Sequence, residues 1–168
     1  MSERAIEKLR EQFGDAIRAT HSRHGDDTAI IDPARLFEIA RFLREDPELK
    51  FDLLVDLTCV DTLGLDERES GRFEMVYHFR SMASGRRVRV KAVIDEGAAG
   101  ENPEIDSLVP LWKGANWFER EVWDLFGVKF RGHPELRRIL MYEEFVGHPL
   151  RKDYPKEKRQ PLVRRDYS

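Results

Sequence analysis

The sequence is poor in cysteine, and Cys59 is the single cysteine among its 168 residues. A disulfide framework, a zinc ribbon and a cysteine-ligated iron–sulfur cluster within the chain are therefore excluded. Cys59 lies in an apolar run, where a buried and unreactive thiol is expected in preference to a catalytic nucleophile.

Long apolar stretches are also lacking. No run approaches the ~20 apolar residues that a membrane-spanning helix needs. Residues 1–16 mix acidic and basic side chains and have no apolar core of the kind found in signal peptides. We therefore expect a protein that resides in the cytoplasm.

Charged side chains are abundant, at 36% of the sequence, and they are unevenly placed. Residues 129–168 contain 11 Lys and Arg against 6 Asp and Glu, a net charge of +5, which leaves residues 1–128 at −8. A basic end on an acidic body indicates contact with an acidic partner, with nucleic acid or with anionic lipid headgroups. Charge alone does not choose among these partners.

The hydrophobic pattern predicts an α+β fold, with helices packed on a mostly antiparallel or mixed sheet and an extended carboxy-terminal tail. Residues 73–80 and 86–94 alternate apolar and polar side chains, which predicts two antiparallel strands joined by a turn. The apolar run at 51–60 predicts a strand buried on both faces. Asp32-Pro33 supplies an N-cap and a first-turn proline for a helix. The other predicted elements are a helix between Ser2 and Gly14, strands near 16–23 and 28–31, and a helix at 117–126.

The last predicted helix has distinct end signals. Asn116 and Glu119 have the spacing of a capping box, and Gly127 can take the left-handed conformation that ends a helix. Past Phe130 the apolar period decays, with RILMY as the candidate for one more short strand. The sequence therefore predicts a folded domain at 1–130 and an extended docking segment at 131–168, which a partner surface orders.

Two Gly-His-Pro triplets make His133 and His148 candidate metal ligands. A catalytic metal needs three or four converging ligands and an open position, and the HExxH motif is absent. Glu119 and Glu121 are two positions apart on a helix, so they point to different faces and are not expected to form an acid–base pair. We expect them instead to form ion pairs. The candidate partners of these carboxylates are Arg120, Arg137, Arg138 and Arg151.

Two alternative functions follow from these residues. A stand-alone metal-dependent hydrolase rests only on the two histidines and the acids near them. Nucleic-acid binding rests on the basic tail, but its bases alternate with acids and no aromatic stacking platform accompanies them. We expect no nucleic-acid partner, because a protein interface explains the composition better.

The stretch WFEREVWDLFGVKFRGHPELRRILM, followed by GHPLRKDYP, resembles the family of the subunit named C in the proton-pumping NADH–quinone oxidoreductase, the bacterial form of respiratory complex I. The resemblance covers about a quarter of the chain, from Trp112 to Pro155, and it implies local ion pairs, turn geometry and interface contacts as the roles of the motif positions. These positions are Glu119, Arg120, Glu121, Asp124, Gly127, His133, Pro134, Arg137, Arg138, His148, Pro149, Arg151, Lys152, Asp153 and Tyr154.

The resemblance also implies a function. Members of this family are non-catalytic parts of the peripheral arm, which support electron transfer from NADH to quinone coupled to proton translocation. It implies no cofactor in this chain, with flavin and iron–sulfur clusters in partner subunits. It implies contact chiefly with the subunit named D, with those named B and I near by, and attachment to the cytoplasmic side of the bacterial inner membrane only through the complex. Equivalent subunits of ferredoxin–quinone and deazaflavin–quinone complexes and of membrane-bound hydrogenases are alternative settings.

Overall fold

Residues 3–65, 71–97 and 102–162 are described by the computed structural model, and they contain seven strands. The strands are β1 (Ile17–Arg23), β2 (Asp26–Ile31), β3 (Leu53–Asp61), β4 (Phe73–Arg80), β5 (Arg87–Ile94), β6 (Glu104–Asp106) and β7 (Lys129–Arg131). The first five form one sheet in the order β1-β2-β5-β4-β3, and β6 pairs with β7. Within the large sheet only β2 and β5 run parallel, so the predicted mixed and mostly antiparallel sheet is confirmed.

Three α-helices accompany the strands: α1 (Glu3–Phe13), α2 (Leu36–Glu45) and α3 (Ala115–Phe126). A 3-10 turn over Pro33–Arg35 leads into α2, and the Asp32 carboxylate accepts a 3.1 Å hydrogen bond from the N–H of Ala34. The predicted start signal is thus confirmed, with one tight turn between it and the α-helix. Within the described ranges, no helix combines the length and apolarity needed to cross a membrane.

The core lies on one face of the large sheet. Alternate residues of β4 and β5, such as Tyr77 and Val90, are fully buried there and belong to the same cluster as the apolar stripes of all three helices. Burial of this apolar area is the main stabilising contribution to the fold. The opposite face of β4 and β5 carries polar side chains such as His78 and Lys91, as the alternation predicted.

Three local predictions were wrong. Strand β3 exposes Leu53, Val55 and Val60, because it lies at the sheet edge and only one of its faces meets the core. The RILMY stretch forms no strand, because its backbone N–H groups bind a carboxylate instead of a neighbouring strand. Helix α3 begins after Gly114 without a side-chain cap, so Asn116 and Glu119 do not form a capping box. The predicted cap at Ser2 and tail residues 163–168 lie outside the described residues.

Candidate interface site on helix α3 and the carboxy-terminal segment

Helix α3 ends at Gly127, which has φ +77° and donates its N–H to the carbonyl of Trp123 at 2.8 Å. This left-handed closure is the end that the sequence predicted. The chain then forms β7 and continues as residues 132–162, here called the carboxy-terminal segment. That segment contains no helix or strand in its described length, yet it crosses back over α3. Its contacts with α3 build the site.

Asp124 is the central residue of these contacts and is fully buried on α3. One of its carboxylate oxygens accepts the backbone N–H groups of Ile139, Leu140 and Met141 at 3.1, 2.8 and 2.8 Å. The other oxygen accepts the guanidinium of Arg138. Burial opposes ionisation, but these donors outweigh it and hold the pKa of Asp124 below its ordinary value. The carboxylate therefore fixes the path of the segment.

Arg138 connects α3 to the turn that follows. Its second terminal nitrogen donates to the carbonyls of Phe145 at 2.8 Å and Gly147 at 3.1 Å. The guanidinium also lies between two aromatic rings, 5.8 Å from the centroid of Trp123 and 5.6 Å from that of Phe145. All of these partners of the guanidinium belong to the chain itself, so Arg138 fixes the conformation of the carboxy-terminal segment.

His148 packs against the end of α3. Its Nδ1 donates to the Asp124 carbonyl at 3.0 Å, which fixes the protonated nitrogen, and its ring meets Trp123 edge-on. Burial is the largest cause that lowers the pKa of His148, so the neutral ring is favoured. A Cβ on Gly127 would stand 2.5 Å from Cδ2 of this ring and 2.8 Å from Nη2 of Arg151. Gly127 is thus required for its backbone conformation and for the space that it leaves.

The next contacts attach the segment beyond His148. The N–H of Leu150 donates to the carbonyl of Leu125 at 3.0 Å. Arg151 donates through Nε to the carbonyl of Phe126 at 2.6 Å and lies 5.3 Å above the ring of Phe73. Pro149, which precedes Leu150, is half-buried. Together these bonds use carbonyls that the end of α3 leaves without helical partners.

A buried ion-pair network connects the segment to the large sheet. Arg72 binds both oxygens of Asp61 at 3.0 and 2.8 Å and both oxygens of Asp153 at 3.1 and 2.6 Å. The backbone N–H of Lys152 donates to Asp61 at 2.8 Å. Although burial opposes ionisation of Asp61, Arg72 and these backbone donors lower its pKa, and Arg72 is the largest cause that lowers the pKa of Asp153. Glu96 also contacts Arg72.

The Glu-Arg-Glu part of the motif does not form the ion pairs that we expected. Glu119 is fully buried, and its two oxygens accept 2.6 Å hydrogen bonds from the Ser107 hydroxyl and the N–H of Leu108. Arg120 donates to backbone carbonyls of the carboxy-terminal segment at 3.2 Å, and Glu121 is exposed. Burial raises the pKa of Glu119 to about 7, against the opposing effect of its two donors. The carbonyls that bind Arg120 belong to Arg137 and Arg138.

His133 and its neighbours form a turn. The N–H of Glu135 donates to Nδ1 of His133 at 3.0 Å, and Nε2 donates to the carbonyl of Asn116 at 3.2 Å. Both ring nitrogens are therefore used within the chain. Burial is the largest cause of the lowered pKa of His133. Pro134 and Arg137 are exposed, with Arg137 pairing Glu135 at 3.1 Å.

Tyr154 completes the arrangement. Its ring stacks on Phe145 with centroids 6.1 Å apart, and its hydroxyl accepts a hydrogen bond from Gln160. The ammonium of Lys158 lies 5.6 Å from the centroid of the same ring. In the described ranges 3–65, 71–97 and 102–162, no three of the His, Cys, Asp and Glu side chains cluster in a way that could hold a metal ion.

Sequence reasoning missed Asp61, Arg72 and Ser107 as members of this site. They lie outside the motif, Asp61 and Arg72 far before it in the chain, and each is flanked by residues that belong to strands or loops of the body. Buried polar residues at strand ends are a signal only once the three-dimensional neighbours are known. Cys59, by contrast, is buried as expected, and burial raises the pKa of its thiol.

The contacts between α3 and the carboxy-terminal segment fix the shape of the surface that the two form together. Its charged groups face backbone carbonyls, backbone N–H groups or each other, while several apolar side chains remain outside. Trp117 on α3 is 64% exposed, and Arg120 lies 5.7 Å above its ring. The exposed apolar residues of the carboxy-terminal segment are Leu140, Val146, Leu150 and Leu162. We call Trp117, Leu140 and Leu150 the α3 surface.

Comparisons with curated proteins give consistent relatives. A protein of Roseiflexus sp. (strain RS-1), which bears the name of the NADH-quinone oxidoreductase subunit termed C, is 47% identical over 150 residues, which cover 89% of this chain and 82% of that protein. A protein of the same name from Geotalea uraniireducens (strain Rf4) is 43% identical over 152 residues, 90% of this chain and 87% of the relative.

Solved structures share the fold. A trypsin-resistant fragment of Nqo5 superposes with a TM-score of 0.65 at 27% identity, covering 79% of this chain and 99% of the fragment. A chain from the membrane-bound sulfane sulfur reductase, an archaeal respiratory membrane complex, superposes with a TM-score of 0.71 over 92% of this chain and 86% of its own length, at 24% identity.

The family model described as the 30 kDa subunit of respiratory-chain NADH dehydrogenase matches residues 29–160. That range includes half of β2, strands β3 to β5, helix α3 and nearly all of the carboxy-terminal segment. Together with relatives that align over most of both lengths, this match is decisive. The chain belongs to the family of the 30 kDa subunit of respiratory-chain NADH dehydrogenase.

Proposed function

We propose that this chain is a structural, cofactor-free subunit in the peripheral arm of an NADH–quinone oxidoreductase, where it supports electron transfer from NADH to quinone coupled to proton translocation. The proposal takes its assembly from the names of the relatives, which are subunits of NADH-quinone oxidoreductases. In this role the chain contributes a rigid docking surface, while flavin and iron–sulfur clusters reside in partner subunits.

One observation carries the docking role. The α3 surface is exposed and apolar, yet the backbone beneath it is fixed by a fully buried carboxylate, Asp124, and by the Arg138 fork. A surface that is ordered before binding loses less conformational entropy when a partner covers it. Trp117 is a large exposed aromatic side chain with an arginine over its ring, which is the type of residue that dominates interface energies.

His133 and Asp124 support a structural role over a catalytic one. His133 uses both ring nitrogens on the backbone, and Asp124 uses its carboxylate on backbone donors and Arg138. A general base or metal ligand would need a free lone pair directed at a reacting atom. We therefore propose that the isolated chain carries no catalytic site.

The proposed neighbours are chiefly the subunit named D, with those named B and I near by. The proposed location is the cytoplasmic side of a bacterial inner membrane, with attachment to the membrane only through the complex. The apolar α3 surface fits a protein neighbour better than nucleic acid, because its three residues include no Lys or Arg side chain that could contact phosphates.

A substitution in the host's own gene tests the proposal. Trp117→Ala is expected to lower the amount of assembled complex, measured on native gels, and to lower NADH-driven quinone reduction in parallel. Leu65→Ala is the matched control, because Leu65 is also an exposed apolar residue, at 52%, but lies in the loop after β3. Normal assembly and activity of the Trp117→Ala strain would remove the support for docking through α3.

Deletion of residues 150–168 tests the segment itself. It removes the Arg151 and Asp153 contacts with the body, and we expect the complex to lose this chain during purification. Metal analysis of the purified chain separates the proposal from the hydrolase alternative. Stoichiometric zinc or iron that disappears when His133 and His148 are replaced would favour the hydrolase.

A further inference from the structure

Among the described residues, the second face of the large sheet lies outside the main core cluster, although it includes the buried side chains of Ile30, Val76 and Val93. Side chains of β4 and β5 on the first face, such as Tyr77 and Val90, belong to the cluster that includes all three helices. The alternating residues that point the other way, His78 and Arg89, lie opposite each other on adjacent strands and are outside that cluster. We call this second side the open face.

Most charges on the open face are paired. Lys91 binds Glu74 at 2.7 Å, and Arg89 binds Asp26 at 2.9 Å. Such cross-strand pairs are the expected arrangement on a polar sheet face. They leave the central part of the open face close to neutral and without an evident need for a partner.

One end of the open face departs from this pattern. Arg80 ends β4 and lies directly opposite Arg87, which begins β5, so both arginines belong to the same face of the sheet on neighbouring strands. Like charges in this position repel. In the described part of the chain, neither residue has an ion pair within 4.0 Å, and the Nε of Arg80 is buried without a hydrogen-bond partner. The neighbouring Arg86 likewise has a buried nitrogen without a partner among the described residues.

Apolar side chains surround this arginine pair. Leu53 lies opposite Arg80 on β3 and is 40% exposed, and Val55 at the adjacent bulge is also exposed. Met82, in the turn after β4, is 60% exposed. Arginine forks with an apolar rim are typical of protein interfaces, because a bidentate carboxylate can satisfy the cation while the rim excludes water.

The chemistry of the surroundings favours carboxylates of a protein over a polyanion. A cleft next to the pair is lined by Asp26, Asp27 and Asp56 as well as by His78, Arg87 and Arg89. The acidic side chains of this cleft repel phosphates arranged in a row, as in nucleic acid, or packed in a plane, as in an anionic membrane, more than they repel one carboxylate.

We propose that this end of the open face, formed by Arg80, Arg87, Leu53 and Val55, is a second interaction surface that binds an Asp or Glu side chain of a neighbouring protein in the assembly. It is separate from the α3 surface, because α3 packs on the core face of the large sheet, whereas Arg80 and Arg87 belong to the open face. The chain thus has two docking surfaces on opposite sides of the large sheet. The existence of an assembly rests on the proposed function.

The double variant Arg80→Gln/Arg87→Gln tests this surface against Arg41→Gln/Lys113→Gln, which makes the same charge change at exposed positions of the body. In the assembled complex purified from the host, the first variant is expected to dissociate from its partners at least tenfold more readily in a salt series, while the control behaves as wild type. In the purified single chain, the same double variant should not be destabilised. Its melting temperature should stay equal or rise, because the repulsion between the two arginines is removed.

A photo-crosslinking residue in place of Leu53 identifies the occupant directly. We expect a crosslinked peptide of another protein of the complex that contains Asp or Glu. The proposal is overturned if the double variant is retained as well as its control. It is also overturned if the crosslink joins residues 163–168 of the same chain, a second copy or lipid. Should the double variant fail to fold, the crosslink alone decides between these outcomes. If the wild-type chain itself enters no complex, the proposed function is refuted. If the wild-type chain enters the complex and the double variant is retained as well as its control, only the second interaction surface is refuted.

Discussion

Replacement of Gly127 by alanine should destabilise the chain far more than the same change at Gly132. Both glycines have left-handed φ angles, +77° and +80°. Alanine in that conformation costs roughly 1–2 kcal/mol at either position. A Cβ at Gly132 meets nothing within 4 Å, so this backbone cost is the whole expected effect there.

At Gly127 the new Cβ meets two side chains that are already fixed. It would lie 2.5 Å from His148 and 2.8 Å from Arg151, and both side chains must move. The movement breaks the bond of His148 to the Asp124 carbonyl and the bond of Arg151 to Phe126, which together contribute roughly 2–4 kcal/mol. We therefore expect a total loss of about 3–6 kcal/mol for Gly127→Ala.

Urea unfolding of the purified chain measures the difference, provided that the dependence on urea is unchanged between variants. Limited trypsin digestion is a second readout, because release of His148 and Arg151 should loosen the backbone around the exposed Lys152 and speed cleavage there while the body stays intact. The double change Gly127→Ala/His148→Ala should recover part of the loss. Equal losses for Gly127→Ala and Gly132→Ala would refute the steric reasoning.

Three further changes probe the buried charges. Asp124→Asn leaves three backbone N–H groups and Arg138 with a weaker acceptor and should lower the free energy of unfolding by about 3–5 kcal/mol in urea titrations. Arg72→Gln leaves the Asp61 carboxylate buried and unpaired, so a loss of similar size is expected, with earlier tryptic cleavage of the carboxy-terminal segment. Glu119 binds its proton more tightly in the folded chain than in the unfolded one, because burial raises its pKa from 4.5 to about 7, so stability should fall as pH rises through this window. Glu119→Gln should abolish that fall, about 3 kcal/mol across the window, in unfolding measured from pH 4 to pH 8.

Exposed neighbours on the same elements are the controls for these changes. Glu121→Gln lies on α3 beside the buried acids, and Arg137→Gln lies in the carboxy-terminal segment with its side chain in water. Each should change the free energy of unfolding by less than about 0.5 kcal/mol. A loss at Asp124 or Arg72 no larger than at these positions would contradict the assigned networks. For Glu119, the contradicting result is an unchanged pH slope in the glutamine variant.

Local signals predicted most of the fold. The Asp32-Pro33 start, the Gly127 end and the alternation in β4 and β5 each depend on residues close in sequence, so the sequence alone reveals them. The wrong assignment of β3 had a different origin. An apolar run reports that side chains are hydrophobic, but whether one or two faces are covered depends on the position of the strand in the sheet.

The site was predictable as a motif but not as a set of contacts. The pattern placed Asp124, Arg138 and His148 together because they belong to one stretch of sequence. It suggested side-chain ion pairs, whereas Arg120 and Arg151 bind backbone carbonyls. Backbone partners have no sequence signature. The interface roles of the motif positions remain predictions that the assembly experiments address.

The network around Asp61 also has a consequence for the order in which the chain is made. Asp61, Arg72 and Asp124 are synthesised before the residues that seal them, since Ile139–Met141 and Lys152–Asp153 come later in the chain. Domains form from the amino-terminal side during synthesis. A nascent chain that stops short of residue 138 therefore keeps the Asp124 carboxylate in water, and burial of that carboxylate requires synthesis to have passed Met141. Residues 138–153 close the networks around Asp124 and Asp61, so a product that ends before them leaves these carboxylates without their partners.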